Sequence, residues 1–213
     1  MGSIDDSQAM FARRELLIGG MALAALLALP RIAHAAPLAG DASTIEVRAL
    51  LRRASRTAFT DLAKPDGFWD SPVARISLPV LFDARAPGAG KPHSRDELQH
   101  RLNTIAQHVL PRASATVDQS IARLGSTRAL PALGNEPTAS TTLLRRATGA
   151  RLVNAMIPVL ARALREHDDP VIRQAMQGLK GVTTTDVAHA LANETDNAIW
   201  YAIGAGEAAA RRG

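Results

Sequence analysis

The passage Asp66-Gly67-Phe68-Trp69-Asp70-Ser71-Pro72-Val73-Ala74-Arg75-Ile76-Ser77-Leu78-Pro79 cannot be helical throughout, whereas almost every other long stretch of the chain can. Asp66-Gly67 is a turn signal, because glycine accepts a positive φ and aspartate can bond the backbone that follows. Pro72 and Pro79 push Ser71 and Leu78 out of the αR region into extended geometry. Phe68, Trp69, Val73, Ile76 and Leu78 supply apolar groups that can anchor so irregular a segment to a core. Main-chain groups drawn inside by those anchors need hydrogen-bond partners from elsewhere in the fold. The passage is therefore expected to be a loop of fixed shape.

On either side of it, apolar residues recur at helical spacing. Leu38 to Ala42 reads as a loose leader, and Ser43-Thr44-Ile45-Glu46 has the form of a capping box. The helix it opens is predicted to run to Ala63, with Val47, Leu51, Ala54, Ala58 and Leu62 on one face. Ala84 to Pro92, rich in glycine and proline, reads as a flexible turn. Ser94-Arg95-Asp96-Glu97 forms a second capping box ahead of Leu98, Leu102, Ile105 and Val109. Pro111 ends or kinks that helix, and the apolar phase resumes at Ala113, Val117, Ile121 and Leu124. Ser126 to Leu133 is read as a short helix and Gly134 to Pro137 as a turn. Thr138 to Glu166 reads as one long helix kinked at Pro158, with Val153, Met156, Leu160 and Leu164 inward.

Asp169-Pro170 pairs an N-cap with an N1 proline for a helix from Val171 to Lys180, closed by Gly181. Thr183 and Asp186 cap a last helix carrying Val187, Leu191, Ala198, Ile199 and Ile203. Ala74 to Leu81 is the one strand candidate, and its proline limits it. With 46% hydrophobic and 21% charged residues the chain is globular in composition, and with 3% aromatics its core must be aliphatic. The expected fold is all-α: a single multi-helix domain with one ordered, proline-rich non-helical loop.

Asp66-Gly67-Phe68 followed by a short spacer and Arg75-Ile76-Ser77-Leu78-Pro79 resembles the hallmark of the DUF4197 family of bacterial exported proteins. Later stretches resemble the family in the same order: Arg101-Leu102-Asn103-Thr104-Ile105-Ala106, then Thr142-Leu143-Leu144-Arg145-Arg146-Ala147-Thr148 with Ile157-Pro158-Val159, then Asp186 through Arg212. The likeness covers Ile45 to Arg212. It departs at Gln107, where the family pattern leads to an acidic residue, and at Gly213, short of the family's usual apolar helix end. The family has no established activity, so the resemblance implies a helical fold and an exported home and no mechanism.

The N-terminal residues read as a targeting segment. Arg13 and Arg14 precede an apolar run from Leu16 to Leu29, then Pro30, then Ala33-His34-Ala35 as an A-x-A cleavage site. The run is shorter than the roughly 20 apolar residues of a membrane span. Residues 1–35 are thus expected to be a cleavable signal of the twin-arginine type, although an arginine pair alone leaves the general secretory route open. Cleavage after Ala35 would release residues 36–213 into the periplasm. No cysteine occurs, which excludes disulfides, thiolate metal sites and a lipid-modified cysteine.

The net charge of +5 comes from arginine, with only Lys64, Lys91 and Lys180 as lysines. Arg48, Arg52 and Arg56 form a stripe without interleaved aromatics, so no nucleic-acid partner is expected and a solvated face is the plainer reading. Weak association with an anionic membrane is compatible with it.

Chemistry is sparse. Glu97 and His100 stand at i, i+3 on one helix, the spacing a di-iron bundle uses twice, but a second such pair is missing. They are weak metal-ligand candidates, and a surface hydrogen-bonded pair is the plainer alternative. His108 and the run Glu166-His167-Asp168-Asp169 raise the same question, with helix capping accounting for Asp169. Nothing resembles a nucleophile elbow. Asp66, Phe68, Trp69 and Arg75 make the loop the first place to look, since they bring an acceptor, apolar plates and a donor together. The sequence points to a non-catalytic binding or structural module with no cofactor and an unknown protein or small-molecule partner. The alternative is an enzyme or metal-binding protein using Glu, His and Asp from facing helices.

Overall fold

The computed structural model describes residues 39–82, 92–125 and 136–212, and side chains within 44–82, 95–125 and 136–212. Among the described residues there are seven α-helices and no strand: α1 (Ala39–Leu62), α2 (Pro92–Ala106), α3 (Leu110–Arg123), α4 (Ala139–Thr148), α5 (Arg151–Glu166), α6 (Pro170–Gly178) and α7 (Thr184–Arg212). The expected all-α domain is what forms. The signal segment, the short helix at 126–133 and most of the turn at 84–92 lie outside the described residues.

α7, 29 residues long, is the central strut, packing most extensively against α1 and α5. The core between them is aliphatic, as the scarcity of aromatics requires. Leu51, Ile105, Val117, Leu152, Met156, Leu160, Leu191, Ile199 and Ile203 are all almost fully buried, each such side chain stabilising by about 1.5–3 kcal/mol relative to exposure. Where α1 crosses α7 the backbones approach closely. A Cβ on Gly206 would lie 3.0 Å from the Ala54 carbonyl oxygen.

Several boundaries differ from expectation. α1 begins at Ala39, so Ser43 lies inside the helix and is no cap. Ala39, Asp41 and Ala42 contain no breaker, and Gly40 costs only about 1 kcal/mol in a helix. α2 likewise starts at Pro92, ahead of Ser94, with the proline's fixed φ suiting a first turn. Pro111 separates α2 from α3 through a single 3-10 turn, Gln107–Val109. Leu110 N–H bonds the Gln107 carbonyl there, because Pro111 has no N–H to offer and its ring crowds that same carbonyl.

The predicted long helix from Thr138 to Glu166 is two helices. Gly149, at φ 55° and ψ −142°, ends α4 in a conformation that L-residues rarely adopt. α5 then runs through Pro158 without interruption, with both Asn154 and Pro158 on its exposed side. Two expected caps form as written. Asp169 accepts from Val171 N–H and Ile172 N–H, and Thr183 and Asp186 cap each other's main chain.

Candidate functional site

The loop after α1 is fixed by side chains of α2. The Asn103 carboxamide, 1% exposed, binds both main-chain groups of one residue: its Oδ1 accepts from Ile76 N–H at 2.8 Å and its Nδ2 donates to the Ile76 carbonyl at 2.9 Å. Gln99 Nε2 donates to that same carbonyl. Gln107 Nε2 donates to the Leu62 and Lys64 carbonyls, closing the end of α1. A carboxylate could not donate these bonds, which explains why glutamine serves here.

Gly67 sits so close to the end of α1 that a Cβ would lie 2.5 Å from the Leu62 carbonyl oxygen. The positive φ of this turn belongs to Asp66 (φ 56°) and not to Gly67. Aspartate tolerates the left-handed region, so the glycine is required for space. Phe68, Ala74, Ile76 and Phe82 fix the loop in the core, while Val73, expected as an anchor, is 48% exposed.

The loop and α2 together place Asp66, Trp69, Arg75 and His100 side by side. His100 Nε2 lies 2.8 Å from Asp66 Oδ1, with the two side chains 35% and 46% exposed. The imidazole packs against Trp69 with ring centroids 4.8 Å apart and planes tilted by 38°. The Arg75 guanidinium lies 4.5 Å from the centre of the indole, and its Nε donates to the Trp69 carbonyl. Cation–π contacts at exposed sites contribute about 0.5–1 kcal/mol; their larger effect here is to set the direction of Arg75.

Of the sequence candidates, these four meet and two do not join them. Phe68 is fully buried and presents no surface to a partner. Glu97 lies 3.7 Å from Arg101 and is bonded neither to His100 nor to the loop. Among the described residues no three His, Asp or Glu side chains gather as metal ligands would. His108 and His167 line one shallow cavity with Arg162 and Glu166, whose carboxylate is held by Arg162. A groove of about 490 Å³ is lined by α1, the loop and α7, among them Ala58, Lys64, Asp70, Ala202, Ala205 and Gly206.

Two buried carboxylates on α7 went unread in the sequence. Glu207, fully buried, accepts from Ser140 N–H, Thr141 N–H, the Thr141 hydroxyl and Arg211. It thereby caps α4 from another helix, where the helix dipole favours an anion. Burial works to raise its pKa, but the bonds from Thr141, Arg211 and Ser140 together hold it below the ordinary glutamate value. Asp196 accepts from Trp200 Nε1–H at 2.8 Å and from Arg145, which also reaches Asn197. Here burial dominates and the carboxyl is pushed above the ordinary aspartate value, with Trp200 and Arg145 pulling against it. The signals available were the i, i+4 pairs Asp196–Trp200 and Glu207–Arg211.

Fold and loop define a class: a single all-α domain built round one non-helical segment that its own second helix clasps. Within that class the chain belongs to the family described as protein of unknown function, DUF4197, which matches residues 40–213. No curated protein and no solved structure matches it.

Proposed function

We propose that this chain is a non-catalytic binding module of the bacterial cell envelope, acting through the surface formed by Asp66, Trp69, Arg75 and His100. The observation that carries the reading is the state of Arg75. Its Nε is engaged by the Trp69 carbonyl and its Cζ lies over the indole, so an exposed guanidinium is held in one direction. Aromatic and arginine groups ordered before contact lose little conformational entropy on binding and dominate the energetics of many interfaces. Export to the periplasm is supported by Arg13-Arg14, the apolar run and Ala33-His34-Ala35, which makes the twin-arginine machinery the first partner.

The test is a photo-crosslinking amino acid at position 97 or 104, which flank His100 on α2 and leave the four site residues in place, with exposed Arg53 on α1 as the control position. A reproducible adduct from both flanking positions, absent at 53, is expected in periplasmic fractions. No adduct at either position removes the reading. For the route, Arg13→Lys with Arg14→Lys should leave precursor in the cytoplasm. Undisturbed delivery assigns the general secretory route instead.

A further inference from the structure

The main chain next to Arg75 has an unused edge. An amide side chain can bond the N–H and C=O of a single residue only where both point the same way, as in an extended strand. Asn103 does this at Ile76, so Ile76 is extended with its polar edge turned to α2. Burial alternates accordingly: Ala74 buried, Arg75 exposed, Ile76 buried, Ser77 exposed, Leu78 half-buried.

In an extended segment the neighbours' N–H and C=O point to the opposite side. The main-chain groups of Arg75 and Ser77 therefore face away from α2, and none has a partner among the described residues. The Arg75 guanidinium is held over Trp69 with only its Nε engaged, so its terminal nitrogens remain as a fork for two oxygens of a carboxylate. Asp66, the acidic group of the same cluster, is held by His100.

Resting on the binding reading above, we propose that Arg75-Ile76-Ser77 is a docking edge for an extended peptide, which pairs with the main chain of Ser77 and sets an acidic group on Arg75. Strand addition of this kind takes affinity from main-chain bonds and selectivity from the side chains at its ends. The charge of the site selects the partner: a free C-terminus, or an aspartate or glutamate close to it, meets an arginine with no acidic partner among the described residues.

The experiment is a displayed library of heptapeptides with free C-termini, selected in parallel against the chain 36–213 and against its Ser77→Pro variant. Proline at 77 removes the N–H donor while favouring the extended geometry that Ile76 already has, so the fold is kept. Circular dichroism checks that. Wild type should enrich peptides with an acidic residue or terminal carboxylate at a constant position. Synthetic copies should bind Ser77→Pro about three- to tenfold more weakly and Arg75→Ala at least about tenfold more weakly, while Arg53→Ala is unchanged. Amidating a peptide whose acid is its C-terminus should equal the Arg75→Ala loss.

No enrichment, enrichment indifferent to acid, and affinity unmoved by Ser77→Pro each overturn the proposal. Concentration-dependent dimerisation of wild type that Ser77→Pro abolishes overturns it too, by assigning the edge to a second copy. Crosslinks at 97 and 104 that persist in Ser77→Pro would leave the binding surface standing and sink the edge alone; absence of crosslinks in the otherwise unaltered chain sinks both.

Discussion

Replacing Asn103 by leucine isolates the clasp that shapes the loop. Leucine keeps asparagine's branched outline and is bulkier, so no cavity is opened and the loss is polar, with some overpacking added. Asn103 makes three hydrogen bonds, to Ile76 N–H, to the Ile76 carbonyl and to the Gln99 carbonyl. The Ile76 carbonyl retains Gln99 Nε2 at 2.9 Å. The Ile76 N–H retains nothing, and Ile76 is 1% exposed, so water reaches it poorly.

An orphaned buried donor costs about 1–3 kcal/mol, and each lost bond to a carbonyl about 0.5–1.5 kcal/mol. Leucine's own burial offsets part of this by about 1.5–3 kcal/mol, so the net loss is expected at about 2 kcal/mol. At about 2–4 °C per kcal/mol for a domain of this size, Tm should fall by about 4–8 °C. Urea unfolding followed at 222 nm gives the equilibrium value, and hydrogen exchange at Ile76 reports the local opening. Asn103→Asp keeps the acceptor for Ile76 N–H but sets a carboxylate against two carbonyls, so it should be worse than leucine at pH 7. A leucine variant within about 0.5 kcal/mol of wild type, with Ile76 exchange unchanged, would refute the claim that α2 fixes the loop through this side chain.

Glu207→Gln should cost about 3 kcal/mol at pH 7, since it unpairs a fully buried carboxylate from Arg211 and α4. Its folded pKa lies below the ordinary 4.5, so the stabilisation is present above that value and disappears as pH falls through the folded one; urea titrations should show the gap to wild type closing in acid. Asp196→Asn, which keeps an acceptor for Trp200, should cost under about 1 kcal/mol at pH 7. Its folded pKa lies above 3.8, so wild type gains from protonation at low pH, and the gap should widen toward pH 4. A gap that widens in acid for Glu207→Gln, or closes in acid for Asp196→Asn, would contradict the corresponding assignment. Gly67→Ala forces a Cβ to 2.5 Å from a main-chain oxygen and should destabilise by at least about 2 kcal/mol, read by thermal unfolding.

Helix faces and most stops were open to sequence reading because each depends on neighbours a few residues away. Asp169-Pro170, Thr183 with Asp186, and the break at Pro111 are local chemistry. The break at Gly149 was not read, because a glycine inside a periodic run costs only about 1 kcal/mol and gives no sign of which way the chain turns. Of the loop candidates Asp66, Phe68, Trp69 and Arg75, the structure gathers Asp66, Trp69 and Arg75 with His100 and leaves Phe68 in the core; the pairing drawn for His100 was the local one with Glu97, whereas its contact spans 34 residues to Asp66. Asn103, Gln99 and Gln107 were invisible as a clasp for the same reason: a polar residue on a helix looks solvated until the segment it binds is in place. Glu207 and Asp196 show the converse. α7 is covered on several sides, so charged positions that would face water on a surface helix lie inside.

The pairing of α1 with α7 also dictates when this protein can become itself during synthesis. These helices are more than a hundred residues apart, and every intervening helix is made before the last one can close the core. Until α7 leaves the ribosome, Leu51, Ala54 and Ala58 have no final cover, and the nascent chain carries an apolar stripe that must be shielded from neighbours. Closure over that separation is entropically expensive and slow by the standards of helical domains. Helix α7 thus acts as the latch of the fold, and a chain truncated within it should be a client of chaperones and proteases, whatever compartment it occupies.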